Sequence, residues 1–366
     1  MISYDENGFK ILDIKHDGSK TLYPLKAFVL SLNDEKTSHS NINHWGAYSE
    51  SNFFDGIYVE TNPNRFGIIL GEEFNPFIYR GQNKDFPTFK ASAHRYDLLK
   101  PDTIVDKCID FVKKQEFLDL FKITPYYERC QKFKVLNCGF QFDLEAVAQH
   151  YDFVSNYLDI TRDLMVALFF AYTYKDKASG NYYPITDFNE YSPTLYIGNL
   201  SKIYEHYPNN LKIIGFQSLL RPHLQKAMAL EINDNSIIKP LFETVALPKN
   251  AVFSNEIFHI MNEGKTLFPN EFMNNTSTEI LRNKELQTKY IHEFCDKEKL
   301  DYNRLLADIN KRGYIITDKE WGIPTSAWYY MNKEIDDMIS YLDHRIGFRG
   351  VSEPLIKKGA ICNKNA

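Results

Sequence analysis

Three groups of polar residues, far apart in the chain, have the types and order of a binding or reaction site. The first is Tyr79-Arg80-Gly81-Gln82. An arginine followed by glycine can present a two-pronged fork to a phosphate or carboxylate while the backbone approaches closely. On these four residues alone, an arginine paired to a structural carboxylate is the plainer reading. The second group is Gln149-His150-Tyr151 with Leu158-Asp159-Ile160-Thr161. A histidine beside a carboxylate can exchange a proton near neutrality. The commoner role of such a histidine is a hydrogen-bonded place in the core, and Asp159 can equally bond a neighbouring turn. The third group is Arg221-Pro222-His223-Leu224-Gln225, in which Gln225 by itself reads as a surface amide.

The second group leads straight into an apolar run. Leu164, Ala167, Leu168 and Ala171 recur at helical spacing, and Met165, Phe169 and Tyr172 fill the opposite side. A helix apolar nearly all round belongs in the core. Thr161 is expected as its N-cap, since a hydroxyl there can accept from a first-turn amide. The polar group therefore stands at the head of a central buried helix.

The remaining chain supplies supporting elements. Short β-like runs are expected at Ile11–Ile14, Ala27–Leu32, Gly56–Glu60, Phe66–Leu70, Phe74–Gln82, Thr194–Gly198, Lys212–Phe216, Ile237–Leu247 and Ala251–Phe253. Residues 33–50 and 175–192 read as polar loops. Helices are expected at about 103–121, 126–136 and 142–151, and from about residue 255 the chain turns helical. There, Asp301 caps a helix that Gly313 stops, and Met331, Ile335, Met338 and Leu342 mark a last one. The fold class expected is α+β: a mixed or antiparallel sheet core, a central buried helix and a helical C-terminal region. The divisions expected are a β-rich segment over 1–70, a main domain over 71–254 and the helical region over 255–366.

Composition narrows the function classes. The 366 residues carry a net charge of −5, which gives no electrostatic case for nucleic acid as the main partner and leaves room only for a local basic groove. Cys108, Cys130, Cys138, Cys295 and Cys362 are odd in number and form no C-x-x-C pair, so reduced thiols of a cytoplasmic protein are expected, with no metal site. MISYDENGFK lacks the apolar stretch of a signal peptide. The run Leu164–Tyr172 is far short of the ~20 residues that span a bilayer, so no membrane partner is expected. Glycine-rich dinucleotide and phosphate loops, a zinc-binding H-E-x-x-H and a G-x-S-x-G elbow are all missing from the sequence.

Taken in order, Tyr79-Arg80-Gly81-Gln82, Arg95, Gln149-His150-Tyr151, Leu158-Asp159-Ile160-Thr161, Val166–Ala171 and Arg221–Gln225 resemble the FRG domain, named for its Phe-Arg-Gly signature. The resemblance spans about residues 74–230. Tyr79 stands for the usual Phe, Asp152 for a usual Gly and Ala227 for the Gly after Gln225, while Phe153–Tyr157 lacks an arginine that family members often carry. Tyr79-Arg80-Gly81 is also similar to the first motif of ADP-ribosyltransferases. That likeness implies Arg80 as a clamp for NAD phosphates, Thr161 as the ribose contact, and Gln225 or Glu231 as the third member. Asp159 would supply negative charge to an oxocarbenium-like centre. The resemblances thus imply catalytic roles for His150, Asp159, Gln225 and Glu231. They imply cofactor contacts from Tyr79, Arg80, Gly81, Gln82, Arg95, Tyr151, Thr161 and Arg221. The implied function is binding of a nucleotide such as NAD, with ADP-ribosyltransferase-like activity in bacterial defence or toxicity. The alternative is a non-catalytic module that binds a nucleotide or a nucleic-acid end.

Overall fold

Asp163 starts the central helix. Its carboxylate accepts from the amides of Met165 at 2.8 Å and Val166 at 3.3 Å, and helix Leu164–Tyr172 follows with seven of its nine residues buried. The capping role expected of Thr161 therefore belongs to Asp163, two residues on; Thr161 is the last residue of a strand. Asp163 places its charge at the positive end of the helix dipole, which the threonine hydroxyl could not.

The computed structural model describes residues 77–96, 103–132, 134–135, 138–140, 143–176, 178–199, 203, 207, 210–214, 219–232 and 238–342, and the strands of residues 2–4, 10–12, 56–62 and 65–70. The expected strand Ala27–Leu32 and the loop 33–50 lie outside these residues. In chain order the strands are β1 (Ile2–Tyr4), β2 (Lys10–Leu12), β3 (Gly56–Asn62), β4 (Arg65–Leu70), β5 (Phe77–Gln82), β6 (Lys134–Val135), β7 (Cys138–Phe140), β8 (Tyr157–Thr161), β9 (Thr173–Lys175), β10 (Tyr182–Pro184), β11 (Thr194–Asn199), β12 (Leu211–Ile213), β13 (Ala227–Glu231), β14 (Phe242–Ala246), β15 (Glu285–Gln287) and β16 (Ile315–Thr317). The helices are α1 (Thr103–Lys122), α2 (Pro125–Lys132), α3 (Leu144–His150), α4 (Leu164–Tyr172), α5 (Leu220–Leu224), α6 (Ala251–Ile260), α7 (Phe272–Arg282), α8 (Thr288–Glu298), α9 (Tyr302–Lys311) and α10 (Thr325–Leu342).

The fold is α+β. Its main sheet is antiparallel, with strand order β12-β13-β8-β5-β11-β14. At the centre of this sheet β5 and β8 share a single registered pair, Tyr79 against Thr161, whereas β5 and β11 share six. The two halves of the sheet are thus joined by a minimal ladder. Helix α4 lies against β5, and the contact is so close that a Cβ on Gly81 would come 1.7 Å from the Ala167 carbonyl oxygen. No φ demands glycine there; the approach of the helix does.

Several expected elements take another form. Ala251–Phe253, expected as β-like, is the first turn of α6. Asn250 caps it, its side chain accepting from Val252 and Phe253. Residues 126–136 are helical only to Lys132, after which β6 turns back to pair with β7. The loop expected over 175–192 holds the hairpin β9–β10, turned through Gly180 at φ 75°. Asp301 and Gly313 do bound α9 as expected, Asp301 accepting from the Arg304 amide and Gly313 adopting φ 75°.

Helix α1 ties the C-terminal elements to the rest. Its buried Lys113 donates to the carbonyls of Ile280 and Asn283, the latter at 2.7 Å, so its charge closes the carbonyl end of α7. One turn on, buried Glu116 accepts from the Gln287 amide at 2.9 Å and Trp321 Nε1 at 3.1 Å. Among the described residues no helix is long and apolar enough to cross a membrane.

The Gly81 contact predicts a large asymmetry between glycines. Gly81→Ala should destabilise by about 3 kcal/mol or more, the upper range for overpacking. Gly322→Ala, where a Cβ meets nothing within 4 Å, should stay within about 0.5 kcal/mol of wild type. Denaturant unfolding of the two variants measures both.

Candidate functional site

The weak seam between β5 and β8 is filled by a side chain. Arg80 reaches across it and donates Nη1–H to the main-chain carbonyl of Asp159 at 2.6 Å, a bond the short ladder does not make. The guanidinium is enclosed except toward an open cleft, and this enclosure pulls its pKa down to about 10, against the raising effect of the Asp159 charge. It remains a cation at neutral pH. Its Nε is buried with no hydrogen-bond partner among the described residues.

The cleft has a volume of ≈ 680 Å³, within the range of small-molecule sites. Tyr79, Arg80, Gly81, Gln82, Arg95, His150, Asp159, Thr161 and Gln225 all line it. Four cationic side chains, Arg80, Lys90, Arg95 and Lys175, face it against one carboxylate, Asp159, among the described residues. The cleft is therefore locally positive on a chain of net charge −5. Arg95 is held at the rim by donating Nε–H and Nη2–H to the Lys90 carbonyl at 3.1 and 2.9 Å.

On the floor of the cleft, Asp143 caps α3 and that helix delivers His150 at its last turn. His150 is 4% exposed. Its Nδ1 lies 3.1 Å from Gln225 Oε1, and its Nε2 lies 3.6 Å from Asp159 Oδ1. Burial lowers the His150 pKa, opposed by Asp159 and by the bond to Gln225, and assisted by Arg221. Asp159 Oδ2 accepts from Gln149 Nε2 at 3.3 Å. Gln225 in turn donates Nε2–H to the Leu267 carbonyl at 3.0 Å, so both ends of its amide are engaged.

Thr161 is a strap. Its hydroxyl donates to the Gln225 carbonyl at 2.7 Å and accepts from the Asp163 amide at 3.0 Å, which leaves one lone pair for anything in the cleft. Tyr79 lines the cleft but is 2% exposed and packs with α4.

Three of the sequence candidates do not line the cleft. Tyr151 is fully buried behind it, donating its hydroxyl to Glu271 at 2.7 Å. Arg221 lies over the rings of Phe268 and Tyr151, with its guanidinium carbon 4.7 and 5.5 Å from their centroids. It donates to Asn274 Oδ1 at 3.1 Å and Asp152 Oδ2 at 3.2 Å, which makes it an internal tie. Glu231 sits at the far end of β13, opposite Tyr157, whereas Ala227, two residues after Gln225, pairs with Thr161. Its carboxylate is 3.8 Å from Lys212.

The sequence did not single out Lys90, Lys175, Phe170 or Tyr182, which the fold brings to the cleft. Lys90, Lys175 and Tyr182 arrive from segments with no motif, Lys90 from the stretch after β5 and the other two from the β9–β10 hairpin. Phe170 lies inside the Val166–Ala171 match and reaches the cleft on α4. The Asp152 position is also explained. It has φ 70°, the left-handed region where glycine is favoured, and Asp152 uses that place to bond both Lys175 at 3.0 Å and Arg221 at 3.2 Å. Burial alone would raise the Asp152 pKa; Arg221 and Lys175 outweigh it and hold the carboxyl below its usual range.

An antiparallel sheet, weakly joined at its centre, with an arginine-lined cleft over a buried helix: that is the class of protein the fold and site define. Residues 75–180 match the family model described as the FRG domain. The chain carries an FRG domain. The match takes in Arg80, His150, Asp159 and α4, while Gln225 lies beyond it and is brought in by the fold. Comparison with curated proteins and with solved structures found no match.

His150 gives the protein a pH-dependent stability. Its folded pKa lies below the ordinary value of 6.5, so below pH 6.5 the unfolded chain binds the proton more readily. Stability is full above that value and falls as pH drops toward the folded pKa, with a slope of at most about 1.4 kcal/mol per pH unit. In unfolding curves between pH 7.5 and 5, wild type should lose more stability than His150→Gln.

Proposed function

We propose that the cleft binds a nucleotide, NAD being the ligand suggested by the likeness of Tyr79-Arg80-Gly81 to ADP-ribosyltransferases. The observation that carries this reading is the positive cleft on a negative chain, built around a buried arginine with an unpartnered donor. A diphosphate would face Arg80, with Lys90 and Arg95 on the same wall, where charge-assisted bonds in a partly desolvated site are strong. Phe170 and Tyr182 offer apolar faces for a base or a nicotinamide ring.

A second reading, glycosidic-bond chemistry of the ADP-ribosyltransferase type, rests on His150 and Asp159 meeting at the cleft floor. In that reading Asp159 stabilises a cationic sugar centre. Thr161 and Gln225 would then act by positioning, since the hydroxyl of the first and the amide of the second are engaged within the protein. Binding alone asks less of these residues.

Calorimetric titration with NAD and ADP-ribose should show binding that Arg80→Gln weakens at least about tenfold, as expected for losing hydrogen bonds to a charged group. If neither ligand binds at millimolar concentration, the nucleotide reading fails. Chromatographic detection of free nicotinamide from NAD, absent in Asp159→Asn, would favour the enzyme; binding without release would favour the module.

A further inference from the structure

Gln225 fixes which nitrogen of His150 carries the proton. The Leu267 carbonyl can only accept, so the Gln225 atom 3.0 Å from it is the amide nitrogen, and the atom 3.1 Å from His150 Nδ1 is the oxygen. An oxygen opposite Nδ1 calls for N–H there, so the neutral ring presents a lone pair at Nε2. That nitrogen is buried and has no hydrogen-bond partner among the described residues, and the same is true of Asp159 Oδ1, 3.6 Å away. The other oxygen of Asp159 is occupied by Gln149. Two buried acceptors therefore stand side by side at the cleft floor with no donor between them. Such atoms mark where a ligand's donors belong, because leaving them unsatisfied is costly.

We propose that His150 Nε2 and Asp159 Oδ1 together accept the vicinal hydroxyls of a ribose phosphate, which deepens the nucleotide reading and rests on it. A diol supplies two O–H donors on adjacent carbons, each able to reach its own acceptor at about 2.8 Å. Arg80 fixes the distance between sugar and phosphate. It bonds the main-chain carbonyl of the same Asp159, so the phosphate clamp is tied to the residue that carries one of the two acceptors. A sugar hydroxyl lies within a few bonds of its 5′-phosphate, whereas a base amino group extends away from it. The aromatic wall of Phe170 and Tyr182 is left for the base. The site should thus select ribose over deoxyribose.

Asp159→Asn tests this with little risk to the fold. The amide oxygen can still accept from Gln149, and the amide nitrogen can donate to His150 Nε2, which closes the pair internally. Affinities would be measured by calorimetry for ribose 5-phosphate against 2-deoxyribose 5-phosphate, and for AMP against its 2′,3′-dideoxy analogue. Wild type should favour each ribo form by at least about tenfold. Asp159→Asn, with its melting curve confirming a folded protein, should erase that preference while still binding the dideoxy form. Equal wild-type affinities for ribo and deoxy forms would overturn the proposal and leave nucleotide binding standing. A preference that survives in Asp159→Asn would also overturn it. Binding of none of the four probes would overturn this proposal, and the nucleotide reading would then stand or fall on the titrations with NAD and ADP-ribose.

Discussion

Helix α4 can lie on strand β5 only because Gly81 has no side chain. A Cβ there would sit 1.7 Å from the Ala167 oxygen. Much of the remaining architecture depends on that approach. It brings the apolar helix onto the sheet, where Tyr79, Leu195 and Ile197 join its core, and it leaves the head of the helix next to β8. The neighbouring residue performs the complementary task. Arg80 spans the seam where β5 and β8 share one registered pair and satisfies a carbonyl that the ladder leaves free. Two adjacent residues thus set the packing of the helix and the floor of the cleft, one by lacking a side chain and the other by having a long one.

The C-terminal elements complete the site from behind. The Leu267 carbonyl orients Gln225, and Gln225 orients His150. Glu271 accepts from the Tyr151 hydroxyl and from the amides of Leu220 and Arg221, which fixes the short helix α5 that precedes Gln225. Enclosing Arg221 among aromatic rings would be unfavourable without Asp152 and Asn274 as partners. The polar groups nearest the cleft are in this way held by a second ring of bonds, several of which come from more than forty residues away in sequence. Rigid support of this kind keeps interacting atoms in place before any ligand arrives.

The candidate site was legible to the extent that its chemistry is local. Arg80, Gln82, His150, Asp159 and Gln225 were recognisable by type and order, and the fold does bring them to one cleft. Thr161 was legible as a residue but not in its bonding, because its hydroxyl partners come from across the sheet at Gln225 as well as from the next turn. Tyr151 directly follows His150, yet as the C-cap of α3 it is turned into the core. Arg221, one helical turn before Gln225, is taken up by Asp152, Asn274 and the rings of Tyr151 and Phe268. Glu231 is separated from Gln225 by the length of a strand, a distance that residue counting alone does not convert into position.

Periodicity was enough to determine the central helix and the α+β character, and the caps the bounds of α9. These follow from short-range rules: apolar spacing, one carboxylate or glycine at a terminus, and the alternation of strands with turns. The order of the six strands, the single-pair seam between β5 and β8, and the arrival of Lys90, Lys175, Phe170 and Tyr182 at the cleft were decided only by tertiary structure. Each of these depends on contacts between segments tens of residues apart. A linear pattern fixes which face of an element is apolar, but which other face it meets is settled when the whole core packs at once.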